Sequence, residues 1–238
     1  MEKFNLTRDI WTIEHIKPFE KYLKSFSKGE DKAVWEKRIV NTHLPCLAIP
    51  AYEIKRISRD ISKGNFMSYL DLWLWNNHSE TTIIGALICK IKDFDLQKKY
   101  LIKYSHSADN WATIDAIKLK IKPKDEQKYV CFAKELVKDS HPFTRRLGLI
   151  IMLKIVSERT IGDIFEVSES LFEEQEYYVN MALAWLLAEC FTKCRDKTLE
   201  FLLRAKLNKF VINKAISKCR DSFRVSVQDK EMLIKFRK

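Results

Sequence analysis

The stretch AYEIKRISRDISK, residues 51–63, decides the fold class. Ile54, Ile57 and Ile61 fall at i, i+3 and i+7 with charges between them. That spacing draws one apolar stripe down one side of a helix. A strand would need alternation at every second residue, and this stretch has none. The same period returns along the chain. EQKYVCFAKELVKDS (126–140) repeats it with Val130, Ala133, Leu136 and Val137. EYYVNMALAWLLAECF (176–191) is apolar on most sides and reads as a central buried helix. LEFLLRAKL (199–207) and KFVINKAISKC (209–219) follow it.

Punctuation supports short connections. The chain has only five glycines and five prolines, where average usage gives about 17 and 12. Breaks fall near Lys28-Gly29, Pro45 to Pro50, Gly64-Asn65, Asn76 to Ser79, Ser105 to Asn110, Lys122 to Lys124, Ser140 to Pro142 and Thr160 to Gly162. Two more fall at Cys194 to Lys197 and at Asn208. Helix-start chemistry accompanies several of them. Ser79 can cap toward Thr82, Asp109 can open the next helix, and Ser140 precedes Pro142. Ser168 can cap ESLFEEQ. The expectation is about a dozen helices of about 10 to 18 residues. They read as an all-α chain, an α-solenoid of HEAT-like antiparallel helix pairs with a concave basic groove. A plain helical bundle is the alternative. No Pro/Gly/Ser-rich linker divides the chain, so residues 1–238 are expected to form one domain.

Composition narrows the function classes. The chain is 46% hydrophobic and 32% charged, which describes a folded chain and not a disordered one. No apolar run reaches the length of a membrane span. The N-terminus MEKFNLTRDIW lacks the pattern of a signal peptide, so a cytosolic protein is expected. The net charge is +11 and unevenly spread. Residues 193–238 carry 14 Lys and Arg against five acids, while residues 160–192 carry seven acids and no Lys or Arg. Such asymmetry suits a polyanion partner, although lysines also simply solvate helix faces.

Other catalytic signatures are missing. There is no GxGxxG, GxxxxGK[ST], HExxH or GxSxG. His15, His43, His78, His106 and His141 form no metal-ligand spacing. Cys190 and Cys194 could clip a metal on one helix, but no second pair and no nearby histidine completes a site. Cysteines 46, 89, 131, 190 and 219 sit in or beside apolar runs, where a free thiol behaves as a small hydrophobe; Cys194 does not. No metal or cofactor is expected.

DNWATIDAI, residues 109–117, holds the sharpest local feature. Trp111 and Asp115 share one helix face at i and i+4. On its own this is a core tryptophan beside a surface acid that could pair with Lys118. Two later segments change the reading: HPFTRRLGLIIMLK (141–154) and EYYVNMALAWLLAE (176–189). In this order the three resemble the AlkD-type DNA glycosylases of DNA alkylation repair, which are built from HEAT-like repeats. That family carries a Trp-x-x-x-Asp motif, then an aromatic-x-x-Arg near a helix start, then a paired aromatic followed by a tryptophan. Here these fall on Trp111 and Asp115, on Phe143 and Arg146, and on Tyr177, Tyr178 and Trp185.

The resemblance implies a monofunctional glycosylase that excises cationic N3- or N7-alkylpurines from duplex DNA as a monomer. Asp115 would stabilise the sugar cation and position water, Trp111 and Trp185 would face the lesion, and Arg146 would hold a phosphate. The family acts from the backbone side without burying the base in a tight pocket, unlike most base-modifying enzymes. Arg145, Lys118, Lys214, Lys218, Arg220, Tyr177 and Tyr178 are the expected further DNA contacts. Lys214, Lys218 and Arg220 are read as sharing one helix side. The chain departs from the family pattern in four places. Phe143 stands where tryptophan is common, and Asn180, Met181 and Ala188 stand where cations are common. Trp35 is the nearest candidate for an early-helix aromatic. Taken singly, Trp185 could be core packing, and Arg145-Arg146 a solvated first turn. The alternatives to the enzyme are a non-catalytic HEAT-like protein that binds DNA or RNA structure and a protein-interaction scaffold.

Overall fold

The computed structural model describes residues 4–238, so residues 1–3 of the N-terminal stretch read above lie outside the described residues. Among the described residues there are fourteen α-helices and no strand. The chain divides into two compact units at Lys118/Leu119. The first holds α1 (Ile16–Lys24), α2 (Glu30–Val40), α3 (Ala51–Ile61), α4 (Phe66–Leu72), α5 (His78–Ile88), α6 (Phe94–Ser107) and α7 (Trp111–Asp115). The second holds α8 (Glu126–Leu136), α9 (Pro142–Lys154), α10 (Ile161–Ser170), α11 (Tyr177–Lys193), α12 (Arg195–Arg204), α13 (Lys209–Asp221) and α14 (Val227–Ile234). The helices run from 5 to 17 residues, so several are shorter than expected.

Helical period becomes burial as the sequence dictates. Ile54, Ile57 and Ile61 all point inward from α3, each contributing about 1.5–3 kcal/mol if fully taken from water. They pack on α5, the hub of the first unit, which also touches α4, α6 and α7. In α5 nine of eleven residues are buried, and Gly85 is what lets α6 come close. A Cβ there would lie 2.5 Å from the Tyr104 hydroxyl.

The second unit stacks in chain order, as helical repeats do. α8 packs on α9, α9 on α11, α11 on α13, and α13 on α14. Its hub α11 buries Val179, Leu183, Leu186, Leu187 and Phe191. Phe165 of α10 and Phe201 of α12 stack with centroids 4.1 Å apart.

Several helix starts differ from expectation. Asn77 caps α5, accepting from the Glu80 N–H, so Ser79 lies inside the helix. Asn110 caps α7 in place of Asp109. His141, not Ser140, occupies the N-cap position of α9, with no side-chain capping bond. Ser168 lies within α10, where its hydroxyl donates to the Ile164 carbonyl. In each case a neighbour was nearer to the chain's true bend, or the serine satisfied itself on the preceding turn.

Candidate nucleic-acid site

The short helix α7 is held from three sides. The Asn110 side chain accepts the Thr113 N–H at 2.9 Å and donates to the Thr113 hydroxyl at 2.9 Å. Tyr104 of α6 donates its phenolic proton toward two carbonyls, Thr81 and Thr113, each 3.0 Å away. Asp109 accepts from the Thr42 hydroxyl at 2.8 Å and from the His43 N–H at 2.7 Å, which ties the loop after α2 to the start of α7. Burial works to raise the Asp109 carboxyl. The donors from Asn110, His43 and Thr42 outweigh it and hold the group below its usual range.

With Thr113 and Ile114 turned inward, the other face of α7 carries Trp111 and Asp115, both half-buried. Trp111 is therefore not a core residue. Lys118 is exposed and lies in a pocket of about 670 Å³ with Tyr52, Lys55, Arg59 and Lys90. Trp35 is 58% exposed on α2, in a second hollow lined by Lys28, Lys32 and Ala48.

In the second unit, Arg146 of α9 is buried and donates to the Tyr178 carbonyl in the first turn of α11. Phe143, one turn before it, packs its ring 5.8 Å from that of Tyr178. Arg145 has different work. It grips both oxygens of Glu174, at 2.6 and 3.1 Å, and donates to the carbonyls of Asp139 and Ser140. Burial pushes Glu174 up, but Arg145 and the Glu176 and Gln175 N–H groups hold its carboxyl below the usual range. Arg145 thus fixes the turn ahead of α11.

Along α11, most side chains are buried, and the exceptions form a line. Tyr178, Met181, Trp185 and Glu189 are all half-buried or exposed. They recur every three or four residues, so they share one face. Trp185 is 37% exposed, and core packing does not describe it. It opens on a hollow of about 330 Å³ with Lys218, Ser222 and Arg224. Tyr177 is exposed, its ring 5.9 Å from Phe210.

The basic tail divides by role. Arg195 pairs with Asp229 at 2.6 Å, Lys197 with Glu158 at 2.5 Å, and Arg224 with Glu189 at 2.6 Å. Lys214, Lys218 and Arg220 make no ion pair among the described residues. They do not share one side, because two residues turn the helix by about 200°. Lys218 reaches the Trp185 hollow, Lys214 lies over the Phe210 ring, and Arg220 is exposed.

Sequence reasoning missed Glu189 and Arg224. The available signal was Trp185-x-x-x-Glu189, the same spacing as Trp111-x-x-x-Asp115. Of the departures from the resemblance, Asn180 is buried and donates to the Glu174 carbonyl at 3.0 Å, so it serves the turn and not a ligand. Ala188 is buried beside Cys219. Cys190 and Cys194 are both buried, the first with its thiol pushed well up and the second raised to about 11, burial being the main cause in each. Cys131 is exposed, against expectation.

The profile of the DNA alkylation repair enzyme family matches residues 15–219, and the chain belongs to that family. The match crosses the Lys118/Leu119 boundary and takes in Trp111, Asp115, Arg146 and Trp185. No curated protein matches the sequence. No helix among the described residues is long and apolar enough to cross a membrane.

Proposed function

We propose that this DNA alkylation repair enzyme is a monofunctional glycosylase that releases cationic N3- or N7-alkylpurines from duplex DNA. Alkylation at either nitrogen makes the base a good leaving group. The glycosidic C–N bond breaks, the base departs with the electron pair, and the sugar gains oxocarbenium character. A carboxylate nearby stabilises that charge, most strongly where water is thinned out. Asp115 fills this role, and it orients the attacking water, whose proton passes to the carboxylate or to solvent.

Trp111 and Trp185 offer electron-rich faces to cationic groups. Arg146 fixes the first turn of α11 through the Tyr178 carbonyl, and its planar guanidinium is assigned to a backbone phosphate beside that turn. Lys118, Lys214, Lys218 and Arg220 supply cations to the backbone, and Tyr177 and Tyr178 supply rings. In this reading residues 1–238 work as one domain and as a monomer, the family match over residues 15–219 taking in parts of both units. A single observation carries the reading most: neither tryptophan of the family pattern is buried, Trp111 being half-buried on α7 and Trp185 37% exposed on the otherwise well-buried α11.

The test is release of 7-methylguanine from methylated duplex DNA by the purified chain. Release above the spontaneous rate is expected. Release at the spontaneous rate, with salt-dependent DNA binding intact, would leave a binding protein only.

A further inference from the structure

Away from Asp115 and Trp185, three donors of different chemistry converge within the first unit. Glu36 comes from the middle of α2, Cys46 from the loop after it, and His78 from the first position of α5. One donor atom from each lies within 4.8 Å of the others. Oε1 of Glu36 sits 3.0 Å from Nδ1 of His78, while Oε2 accepts the Ala48 N–H at 2.8 Å. Cys46 and His78 are each only 9% exposed.

A simple ion pair accounts for part of this. It explains Glu36 and Nδ1 of His78. It leaves Nε2 of His78 buried without a hydrogen-bond partner, and it leaves the Cys46 sulfur unexplained within 4.8 Å of the other two donors. A neutral imidazole that donates from Nδ1 carries a bare lone pair on Nε2. Burying that lone pair unmatched costs free energy. A carboxylate, a thiol and an imidazole with spare capacity are the donor set of a borderline-soft divalent cation.

We propose that Glu36, Cys46 and His78 bind a zinc-class divalent cation, with a fourth position open to the pocket that Glu36 and His78 line. Donors around a tetrahedral zinc lie about 3.5 Å apart, given bonds of about 2.0–2.3 Å. Loading requires the His78 ring to turn, so that the direct bond between Glu36 Oε1 and Nδ1 is given up and carboxylate and imidazole nitrogen both face the ion. Loading exchanges the Cys46 S–H bond for a sulfur–metal bond and releases one proton to solvent. Thiolate and carboxylate then balance the two positive charges. Thiolate and imidazole favour this class over magnesium or calcium. The spacing of histidines along the chain gave no hint of the site, because its three ligands come from three separate segments.

Titration of the full chain with cobalt(II), a spectroscopic probe for zinc sites, tests this. The expected result is a near-ultraviolet thiolate-to-cobalt band saturating at one equivalent and displaced by zinc. Cys46→Ser should abolish the band. Glu36→Gln and His78→Gln should weaken binding at least as much as the roughly 10- to 100-fold that loss of an outer partner causes. Circular dichroism of each apo variant shows whether it is folded. If Cys46→Ser does not fold, the two other variants carry the reading. No thiolate band in the folded wild type, or a band that survives in Cys46→Ser, overturns the proposal.

Discussion

Tyr104→Phe removes the hydroxyl that ties α7 to its neighbours. That hydroxyl lies 3.0 Å from the carbonyls of Thr81 and Thr113, and it is fully buried. One proton is shared between the two carbonyls, so the net gain of the bond is about 0.5–1.5 kcal/mol. Deleting it also leaves buried carbonyl capacity unmet, which brings the expected loss to about 1–3 kcal/mol. For a chain of this length each kcal/mol lowers Tm by about 2–4 °C. A fall of about 2–12 °C is therefore expected by differential scanning calorimetry. Because α7 is only five residues long, it cannot hold its own geometry by intrahelical bonds. Trp111 and Asp115 would lose their fixed placement, and misplacement of about 1 Å can cost about 100-fold in rate. Base release measured well below Tm should fall by about tenfold or more. An unchanged Tm together with unchanged base release would refute the claim that Tyr104 positions α7.

Gly148→Ala should destabilise the second unit by about 1–3 kcal/mol through overpacking. The new Cβ would lie 2.8 Å from Val137 Cγ1 and 3.0 Å from the Ala133 carbonyl; urea denaturation with an unchanged m-value would show it. Glu174 titrates below its ordinary value near 4.5 in the folded chain. Its contribution is therefore present above that pH and lost as pH falls through the lower folded value. Glu174→Gln should flatten the acid limb of the stability curve, and acid denaturation monitored at several pH values reads this directly. Lys218→Ala should weaken DNA binding about equally across sequences and reduce the log K against log salt slope by about one, as measured by fluorescence anisotropy.

The helices were legible where periodicity was clean. Ile54, Ile57 and Ile61 declared a stripe, and burial followed it. Caps were less legible, because long-range partners decide them. Asp109 is drawn to Thr42 and His43, 67 and 66 residues away, so the cap passes to Asn110. Trp111 and Asp115 were legible as a face from their spacing. The exposure of Trp185 was not, since all its neighbours in ALAWLLAEC but Glu189 are apolar. Only the packing of α9 and α13 against α11 shows which line is left uncovered. Arg145 and Arg146 look alike in sequence, and the fold separates them. One grips Glu174, and the other reaches the Tyr178 carbonyl.

The most direct measurement compares Asp115→Asn with wild type for base release and for binding on the same methylated duplex. Asparagine keeps the shape and removes the charge. Loss of one well-placed electrostatic contact in a catalytic site costs about 100- to 1,000-fold in rate. A loss of that order, with duplex binding within about twofold, is the predicted result. Release by Asp115→Asn at the wild-type rate would contradict the assignment of Asp115 to the sugar cation.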